Sequence, residues 1–250
     1  MNTVQNSNTF QNELKKNQIE VSPDIWQKFD LLKIERYFQF LFDNDLQGGF
    51  FSKNDRDKIA VRHIYESMVF VYRLIQSGYV SRETNVIDIG SGPGLPGYLF
   101  FCLKENPRLT LNDSSKRRLG FLEEFVMENY QNDNRINFLY GRSEELKGNF
   151  DLLVSRALIP FPFCLELFVN LIHADGNAAC FLGKAITLSD KDRRYIKSMG
   201  YVSCETIVLS ELEIIGERTV YILNKSTPGE NRYPRPWAII KKEIQSWEKL

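Results

Sequence analysis

Apolar residues recur every three or four positions along the first third of the chain, which is the spacing of helices that bury one face. The pattern predicts one helix over about residues 23–43, opened by a Ser-Pro pair, and a second over about residues 57–76. The preceding residues 1–22 are polar and lack strong periodicity, so they are expected to be loosely ordered. We therefore predict a polar N-terminal segment followed by a helical cap over residues 23–80.

From residue 81 onward, short apolar runs alternate with helical patterns. Strands are predicted at residues 86–89, 109–111, 136–139, 152–154, 178–182, 201–209 and 219–223. Helices are predicted at residues 95–104, 115–130, 163–172 and 189–199. Short continuous apolar strands separated by helices are typical of an α/β fold, with a mostly parallel sheet and helices on both faces. The last two strands lack an intervening helix, which predicts an antiparallel hairpin at one edge of the sheet.

The predicted core covers residues 81–226 and is followed by a basic C-terminal tail at residues 227–250, in one globular domain overall. The tail starts as a proline-rich loop and ends in a short predicted helix. From residue 224 onward it carries six basic residues against three glutamates, with Tyr233, Trp237 and Trp247 among them. Basic and aromatic side chains together are typical of RNA contacts, although a solvated terminus has the same composition.

Composition narrows the class of protein. The 250 residues are 43% hydrophobic and 26% charged, as in an ordinary globular chain. Lys plus Arg and Asp plus Glu each number 32, so any nucleic-acid footprint has to be a local patch. The four cysteines lack CxxC spacing and the two histidines lie far apart, which argues against a metal site and a disulfide framework. Neither a signal-peptide pattern nor a membrane-length apolar run is present, so we expect a cytoplasmic protein without membrane association.

The densest motif is a glycine-rich loop that follows the first predicted strand. It reads Asp88-Ile89-Gly90-Ser91-Gly92-Pro93-Gly94-Leu95-Pro96-Gly97. A buried strand that runs into glycines and then a helix is where open α/β sheets bind ligands, because glycine lets the backbone approach the ligand closely. The spacing matches two patterns, the dinucleotide fingerprint and the loop of S-adenosylmethionine (AdoMet) methyltransferases. A plain strand-to-helix turn is the remaining alternative.

Register and charge favour AdoMet over a dinucleotide. The tight turn directly after the strand falls on Gly90, and counting from there places Leu95 where the dinucleotide motif needs its third glycine. Asp88 at the strand end complements a cationic cofactor, whereas it would repel a pyrophosphate.

Two further strand ends carry candidate cofactor contacts. Asp113 follows the second strand, where an acid can accept both hydroxyls of a ribose in either AdoMet or NAD. The alternative for Asp113 is a helix N-cap. Ser143 and Glu144 follow the third strand, where an adenine ring would lie, although a solvated charged turn would look the same.

The end of the fourth strand indicates the kind of target atom. Arg156 stands where methyltransferases of exocyclic amines carry an Asn/Asp-Pro-Pro-aromatic run, and no Pro-Cys pair supplies a nucleophile for pyrimidine carbon 5. A purine ring nitrogen already has a free lone pair, so its methylation requires positioning rather than a general base. Arg156 can hold the cofactor carboxylate, a phosphate or a guanine edge, or it can form an interior salt bridge.

Basic residues also cluster outside the tail. Lys116, Arg117 and Arg118 occupy the first turn of a predicted helix, against the helix dipole, which an external anion or pairing with Glu123 or Glu124 would explain. Arg62 and His63 lie on the second predicted helix, where they either face the cofactor cleft or serve the structure.

Several stretches occur together in one order and resemble a known family. They are Val61-Arg62-His63-Ile64, the glycine loop, Asp113-Ser114, Arg142-x-Glu144-Glu145, Phe150-Asp151, Ser155-Arg156-Ala157 and Tyr233-Pro234-Arg235. Their combination is similar to the bacterial small-subunit ribosomal RNA guanine-N7 methyltransferases, also called glucose-inhibited division protein B. Two segments depart from the family pattern, residues 48–52 and Leu182-Gly183-Lys184.

The resemblance implies a Rossmann-like class I methyltransferase with a seven-stranded sheet. It further implies AdoMet-dependent transfer to N7 of a guanosine in 16S ribosomal RNA, free or in a small-subunit assembly particle, by a protein expected to be a monomer. The candidate cofactor-binding residues are Asp88, Gly90, Gly92, Gly94, Leu95, Asp113, Ser143, Glu144 and Arg156. The candidate RNA-binding residues are Arg62, His63, Lys116, Arg117, Arg118, Lys184, Arg232 and Arg235. The alternatives are a methyltransferase of another RNA or a small molecule, an inactive RNA-binding relative and, more distantly, a nicotinamide oxidoreductase.

Overall fold

The computed structural model describes residues 9–52, 55–131 and 133–247. Its centre is a seven-stranded sheet in the order β3-β2-β1-β4-β5-β7-β6. The strands are β1 (Asn85–Ile89), β2 (Arg108–Asp113), β3 (Ile136–Tyr140), β4 (Phe150–Arg156), β5 (Ile172–Leu182), β6 (Tyr201–Val208) and β7 (Thr219–Lys225). Strands β1 to β5 pair in parallel, and β7 runs antiparallel to both β5 and β6. The predicted Rossmann-like α/β fold with an antiparallel edge hairpin is confirmed.

Helices cover both faces of the sheet. The α-helices are α1 (Thr9–Lys16), α2 (Pro23–Lys28), α3 (Leu31–Gly48), α4 (Glu66–Gln76), α5 (Tyr98–Phe101), α6 (Lys116–Asn129), α7 (Asp190–Ser198) and α8 (Trp237–Trp247). A π-helix at Ile59–Tyr65 leads into α4, and 3₁₀ turns lie at Arg56–Lys58, Ser143–Glu145, Phe163–Phe168 and Ser210–Ile215. None of the helices in the described ranges is long and apolar enough to cross a membrane.

The opening segment is more ordered than its polarity predicts. Helix α1 buries Phe10 and Leu14, which are 2% and 1% exposed, and the Phe10 ring lies 5.8 Å from that of Phe38. The carboxylate of Glu35 accepts hydrogen bonds from the backbone N–H groups of Thr9 and Phe10. Residues 9–16 therefore form a packed helix in contrast to the expected loose order, with two buried apolar residues one helical turn apart. Residues 1–8 lie outside the described residues.

The helix predicted over residues 23–43 is two helices. The chain turns at Phe29, and the Asp30 side chain caps α3 by accepting hydrogen bonds from the backbone of Leu32 and Lys33. Helix α3 then continues to Gly48, and Gly49 ends it in the left-handed conformation at φ +62°. The apolar period runs through the break because both helices bury their faces in the same core.

Two other predicted helices are shorter in the structure. Of residues 95–104, the α-helical part is Tyr98–Phe101, and residues 163–172 form a 3₁₀ turn at Phe163–Phe168 before β5 begins at Ile172. Both regions are mostly apolar, so they carry little period that would mark where one element ends.

The C-terminal segment completes the second face of the sheet. Tyr233, Ile240 and Ile244 are buried in a core that also contains the 3₁₀ turn at Phe163–Phe168 and helix α7. The other face carries α1 to α6 in a separate apolar core. Residues 227–236 form the predicted loop and α8 is the predicted final helix, and both are anchored to the fold through these buried side chains.

We expect Phe10→Ala to lower the free energy of unfolding by about 3–5 kcal/mol, since it empties a buried aromatic site between α1 and α3. Chemical denaturation at fixed pH measures this change. Lys16→Ala on the same helix is the control, with an expected change within about 0.5 kcal/mol because that side chain is 74% exposed. A Phe10→Ala protein as stable as this control would contradict the packing of α1.

Candidate functional site

A cavity of about 350 Å³ opens at the carboxyl ends of the parallel strands. This size suits a small-molecule ligand, and the position is the ligand crevice of open α/β sheets. The candidates Gly90, Asp113, Ser143, Glu144 and Arg156, together with Arg118, line it. Of the remaining cofactor candidates, Asp88, Gly92, Gly94 and Leu95 are not among its lining residues.

The glycine loop brings backbone to the cavity wall. Gly90, Gly92 and Gly94 have φ values of +74°, +56° and +112°, which side-chain-bearing residues rarely adopt. A Cβ on Gly90 would lie 2.4 Å from the Leu158 side chain, so the cavity keeps its shape only with glycine there. The backbone N–H groups of Gly90 and Ser91 donate to the carbonyl of Asn112, which ties the loop to β2.

Asp88 contacts the glycine loop from within the protein core and is not among the residues that line the cavity. Its side chain is fully buried, and one carboxylate oxygen accepts a hydrogen bond from the backbone N–H of Gly97 at 2.9 Å. Burial raises the pKa of Asp88 to about 7. In the structure Asp88 stabilises the turn at Gly97, where a Cβ would lie 2.6 Å from its oxygen, and the predicted contact of Asp88 with the cofactor stays a prediction.

Asp113 joins the loop to the next helix. One carboxylate oxygen accepts from the backbone N–H of Gly92 and the other from that of Ser115, both at 2.7 Å. Arg118 lies 3.5 Å from the same carboxylate. The N-cap of α6 is Ser115 rather than Asp113. Because each carboxylate oxygen has a second lone pair, Asp113 can hold the loop and still accept hydrogen bonds from a ligand in the cavity.

The turn after β3 supplies another part of the wall. Ser143 and Glu144 lie on a 3₁₀ turn directly after Gly141, which has φ +137°. Ser143 is buried, and Glu144 is only 13% exposed and lies 3.6 Å from Arg142. The turn at Ser143 and Glu144 is therefore not the solvated charged turn that was the alternative for these residues, since both side chains line the cavity.

Arg156 forms an interior salt bridge, which was the predicted alternative to a contact with the cofactor or the RNA. Its guanidinium lies 3.0 Å from the Glu66 carboxylate, which is 2% exposed and also pairs with Arg218 at 2.7 Å. The same guanidinium donates to Ser67 and to the backbone carbonyls of Arg62 and His63. Arg156 still lines the cavity, so it is both a structural tie and a fixed positive charge at the site.

His63 does not provide a positive charge for RNA. Its ring stacks on Phe51 at 4.2 Å, and its Nε2 atom is buried without a hydrogen-bond partner among the described residues. Burial, assisted by the charge of Arg156, lowers the pKa of His63 to about 3. His63 is thus a neutral ring stacked in the cap, and its predicted contact with RNA stays a prediction.

Several predicted RNA contacts are engaged within the protein. Arg117 donates to the carbonyl of Gln47, Arg118 pairs with Asp113, and Arg232 pairs with Glu230 at 2.9 Å. Arg235 is held by Glu166, which is fully buried, at 2.8 Å and by Glu243. Each guanidinium nitrogen of Arg235 has a partner within the protein, and its predicted contact with RNA stays a prediction. Lys116 and Lys184 are exposed.

Sequence reasoning missed part of the cavity wall. Leu158, Ile159, Leu167 and Trp237 form an apolar side of the cavity, and Asn112, Gly141 and Arg142 add to its polar side. The position of Gly141 directly after a strand, like that of Gly90, is the signal from which its positive φ could have been predicted. Leu167 and Trp237 come from distant segments, and no local pattern indicates that they meet. Within the described ranges, no group of three or more His, Cys, Asp or Glu residues is placed to hold a metal ion.

We expect Arg156→Ala to lower the free energy of unfolding by about 3–5 kcal/mol, because it leaves the buried Glu66 carboxylate with one close partner fewer. Chemical denaturation provides the measurement. Arg62→Ala is the control, since that side chain is 48% exposed and 4.0 Å from Glu66, and the expected loss is below about 1 kcal/mol. Equal losses for both variants would contradict the buried pair.

The pKa values of the two histidines should lie on opposite sides of 6.5, the ordinary pKa of a histidine side chain. Hydrogen bonding to Asp151 raises the pKa of His173, whereas His63 has a pKa of about 3. Because unfolding lets His63 bind a proton near pH 6.5, its contribution to stability is lost as the pH falls from 6.5 towards 3. Ring-proton NMR spectra recorded against pH test this. A His63 ring that titrates at or above pH 6 would show that it is not desolvated.

Comparisons with known proteins agree with this geometry. The family profile described as rRNA small subunit methyltransferase G matches residues 30–205. A ribosomal RNA small subunit methyltransferase G from Leptospira biflexa is 40% identical over 240 residues, which cover 95% of this chain and 97% of that protein. A protein of the same description from Leptospira interrogans is 35% identical over 215 residues and covers 86% of this chain and 84% of its own length.

Solved structures support the fold. Magnesium protoporphyrin IX methyltransferase from Synechocystis PCC 6803, with bound AdoMet, superposes with a TM-score of 0.54 at 17% identity over 76% of this chain and 97% of that one. A phosphoethanolamine N-methyltransferase from Haemonchus contortus gives 0.51 at 15% identity over 76% of this chain and 60% of that one. The family profile and the relatives over most of the chain confirm the predicted family, the class I methyltransferase fold and an AdoMet-dependent enzyme. The chain belongs to the family of small-subunit ribosomal RNA methyltransferases G.

Proposed function

We propose that this protein transfers the methyl group of AdoMet to N7 of a guanosine in 16S ribosomal RNA, free or in a small-subunit assembly particle. Family membership supports the RNA class. The observation that carries the choice of atom is the cavity itself, which places a fixed guanidinium, Arg156, at the end of β4. We further propose that the enzyme acts as a cytoplasmic monomer, with residues 23–80 as the cap over the core.

The residues of the cavity fit the cofactor. When bound, AdoMet supplies a methyl group activated by its positively charged sulfur. The open backbone at Gly90 would lie against the cofactor, since no Cβ intervenes there. The carboxylate of Asp113 would accept the ribose hydroxyls through the lone pairs that Gly92 and Ser115 leave free.

The protein then has to orient a target that needs no deprotonation. Because guanine N7 carries a free lone pair, no side chain has to act as a general base, and positioning supplies most of the rate enhancement. Arg156 suits this task, as its guanidinium is fixed by Glu66 and Ser67 and does not have to be ordered when the substrates bind. A fixed cation can hold a cofactor carboxylate or an edge of the guanine.

Exposed cations remain available for the RNA backbone near the cavity. Arg62 and Arg142 are 48% and 53% exposed. Lys116 starts helix α6 next to the glycine loop, and Lys184 follows β5. We propose these four as the phosphate contacts: Arg62, Lys116 and Lys184 come from the set predicted from the sequence, and Arg142 is added because it lines the cavity. Phosphate contacts fix orientation without reading sequence, so they would leave the choice of guanosine to the RNA structure.

We expect the purified protein to transfer label from radioactive AdoMet to small-subunit particles or to their RNA. Borohydride reduction followed by aniline cleaves RNA at N7-methylguanosine, so cleavage should coincide with the label. Absence of label in RNA, or labelled RNA that resists cleavage, would overturn the proposal.

Gly90→Ala should reduce this transfer by about tenfold or more, because the added Cβ would strike Leu158 and the residue has φ +74°. Gly120→Ala is the matched control, with its nearest neighbour at 3.8 Å and a helical backbone that accepts alanine. Its activity should equal that of the unmodified protein. A fully active Gly90→Ala protein would show that the glycine loop does not form the cofactor site.

A further inference from the structure

The cavity has one apolar wall that the polar contacts do not use. Leu158 and Ile159 follow β4, Leu167 lies on the 3₁₀ turn at Phe163–Phe168, and Trp237 begins helix α8. Trp237 is partly buried and packs on the second core. It is the aromatic side chain among the lining residues, and it reaches the cavity from a segment distant in sequence from the glycine loop.

We infer that Trp237 is the surface on which the adenine ring of AdoMet stacks, and that the Arg235–Glu166 ion pair positions it. The inference deepens the proposed function and rests on it only in so far as AdoMet is the ligand. It assigns to the C-terminal segment a role in cofactor binding, whereas the sequence indicated RNA contact.

The chemistry of the cofactor decides which part meets this wall. AdoMet consists of a charged amino-acid portion, a ribose with two hydroxyls and an uncharged flat purine. The amino-acid portion requires polar partners such as Arg156 and the loop backbone, and the hydroxyls require acceptors such as Asp113. Of the three parts, only the purine gains by leaving water for a wall of leucine, isoleucine and tryptophan.

The order of the strands points the same way. Asp113 ends β2, and Ser143 and Glu144 follow β3, the next strand towards the sheet edge. The 3₁₀ turn that carries Ser143 and Glu144 packs against the 3₁₀ turn that carries Leu167. A purine beyond the ribose would therefore have polar groups at its edge and the Leu167–Trp237 wall against its face.

A buried ion pair fixes the chain two residues before Trp237. Two residues before it, the Arg235 guanidinium contacts both carboxylate oxygens of Glu166, which is 0% exposed, and also the hydroxyl of Tyr195 at 3.0 Å. On the other side, Ile240 and Ile244 anchor helix α8 in the core. Since a ring fixed before binding loses little conformational entropy when the ligand arrives, this arrangement favours affinity.

The test is the affinity for S-adenosylhomocysteine, the demethylated cofactor, measured by isothermal titration calorimetry on the full chain. Trp237→Ala should weaken binding about tenfold or more, because it removes the stacking surface. Trp237→Phe retains a ring and should stay within about threefold of the unmodified protein. Trp247→Phe is the matched control at the other end of α8, where the ring packs on Phe163, and it should bind normally.

Tryptophan fluorescence gives an independent readout. S-adenosylhomocysteine should quench emission in the unmodified protein and in Trp247→Phe, and Trp237→Phe should lose most of the quenching. In methyl transfer, Trp237→Ala should raise KM for AdoMet while kcat at saturating AdoMet stays within about threefold. Thermal melting of each variant confirms that it is folded.

The positioning role of Arg235 is tested in the same assays. Arg235→Ala should weaken binding of S-adenosylhomocysteine about fivefold or more, and Arg235→Lys, which keeps a charge for Glu166, should restore part of the loss. A folded Arg235→Ala protein with normal affinity would overturn the positioning role.

Other outcomes separate this inference from the proposed function. If Trp237→Ala binds S-adenosylhomocysteine normally but raises KM for RNA, the ring contacts RNA and the inference is wrong. If the unmodified protein binds S-adenosylhomocysteine but does not methylate RNA, the proposed function fails while the calorimetric test of Trp237 still applies. If it binds no S-adenosylhomocysteine at all, both are overturned.

Discussion

The carboxylate of Glu66 holds the helical cap against the sheet. It is almost fully buried at the start of α4 and lies between two guanidinium groups, Arg156 at the end of β4 and Arg218 just before β7. A buried carboxylate is tolerated only with such partners, so the cap and these two strands have fixed relative positions. Because Arg156 also lines the cavity, the contact that fixes the cap also fixes a charge at the site.

A second buried acid fixes the C-terminal segment on the other face of the sheet. Glu166 carries no exposed surface and is satisfied by Arg235 and Tyr195, which ties the C-terminal segment to the 3₁₀ turn after β4. The two acids therefore stand on opposite faces of one sheet and each fixes an element beside the cavity. The cavity thus depends on the cap through the Glu66–Arg156 pair and on the C-terminal segment through Trp237, although its motifs come from the middle of the chain.

The sequence alone was sufficient to predict the sheet and the glycine-rich loop after β1. Alternation of short apolar runs with helices predicted the strands, and the unusual density of glycines between Gly90 and Gly97 marked the ligand crevice. Positions at strand ends, such as Asp113 and Ser143, were predictable because parallel strands deliver their carboxyl ends to one edge. Helix ends within mostly apolar stretches, as before β5, were not predictable, since such stretches carry little period.

The remaining roles depend on contacts between distant residues. Asp88 has the sequence position of a ligand contact, yet its carboxylate turns to the backbone of Gly97. Arg156 and Arg235 look alike in sequence, as cations near a site, and only the buried acids opposite them show that both are tied down. Trp237 carries no motif, and its place in the wall follows from the packing of α8.

The π-helix at Ile59–Tyr65 has a consequence for how the cap tolerates change in length. The carbonyls of Arg62 and His63 in this stretch accept hydrogen bonds from the Arg156 guanidinium. A π-turn holds one residue more than an α-turn, so deletion of a single residue here would convert the stretch towards an α-helical turn and shift these carbonyls relative to the guanidinium. Insertions and deletions in this short stretch therefore reach the site directly, even though none of its side chains lines the cavity.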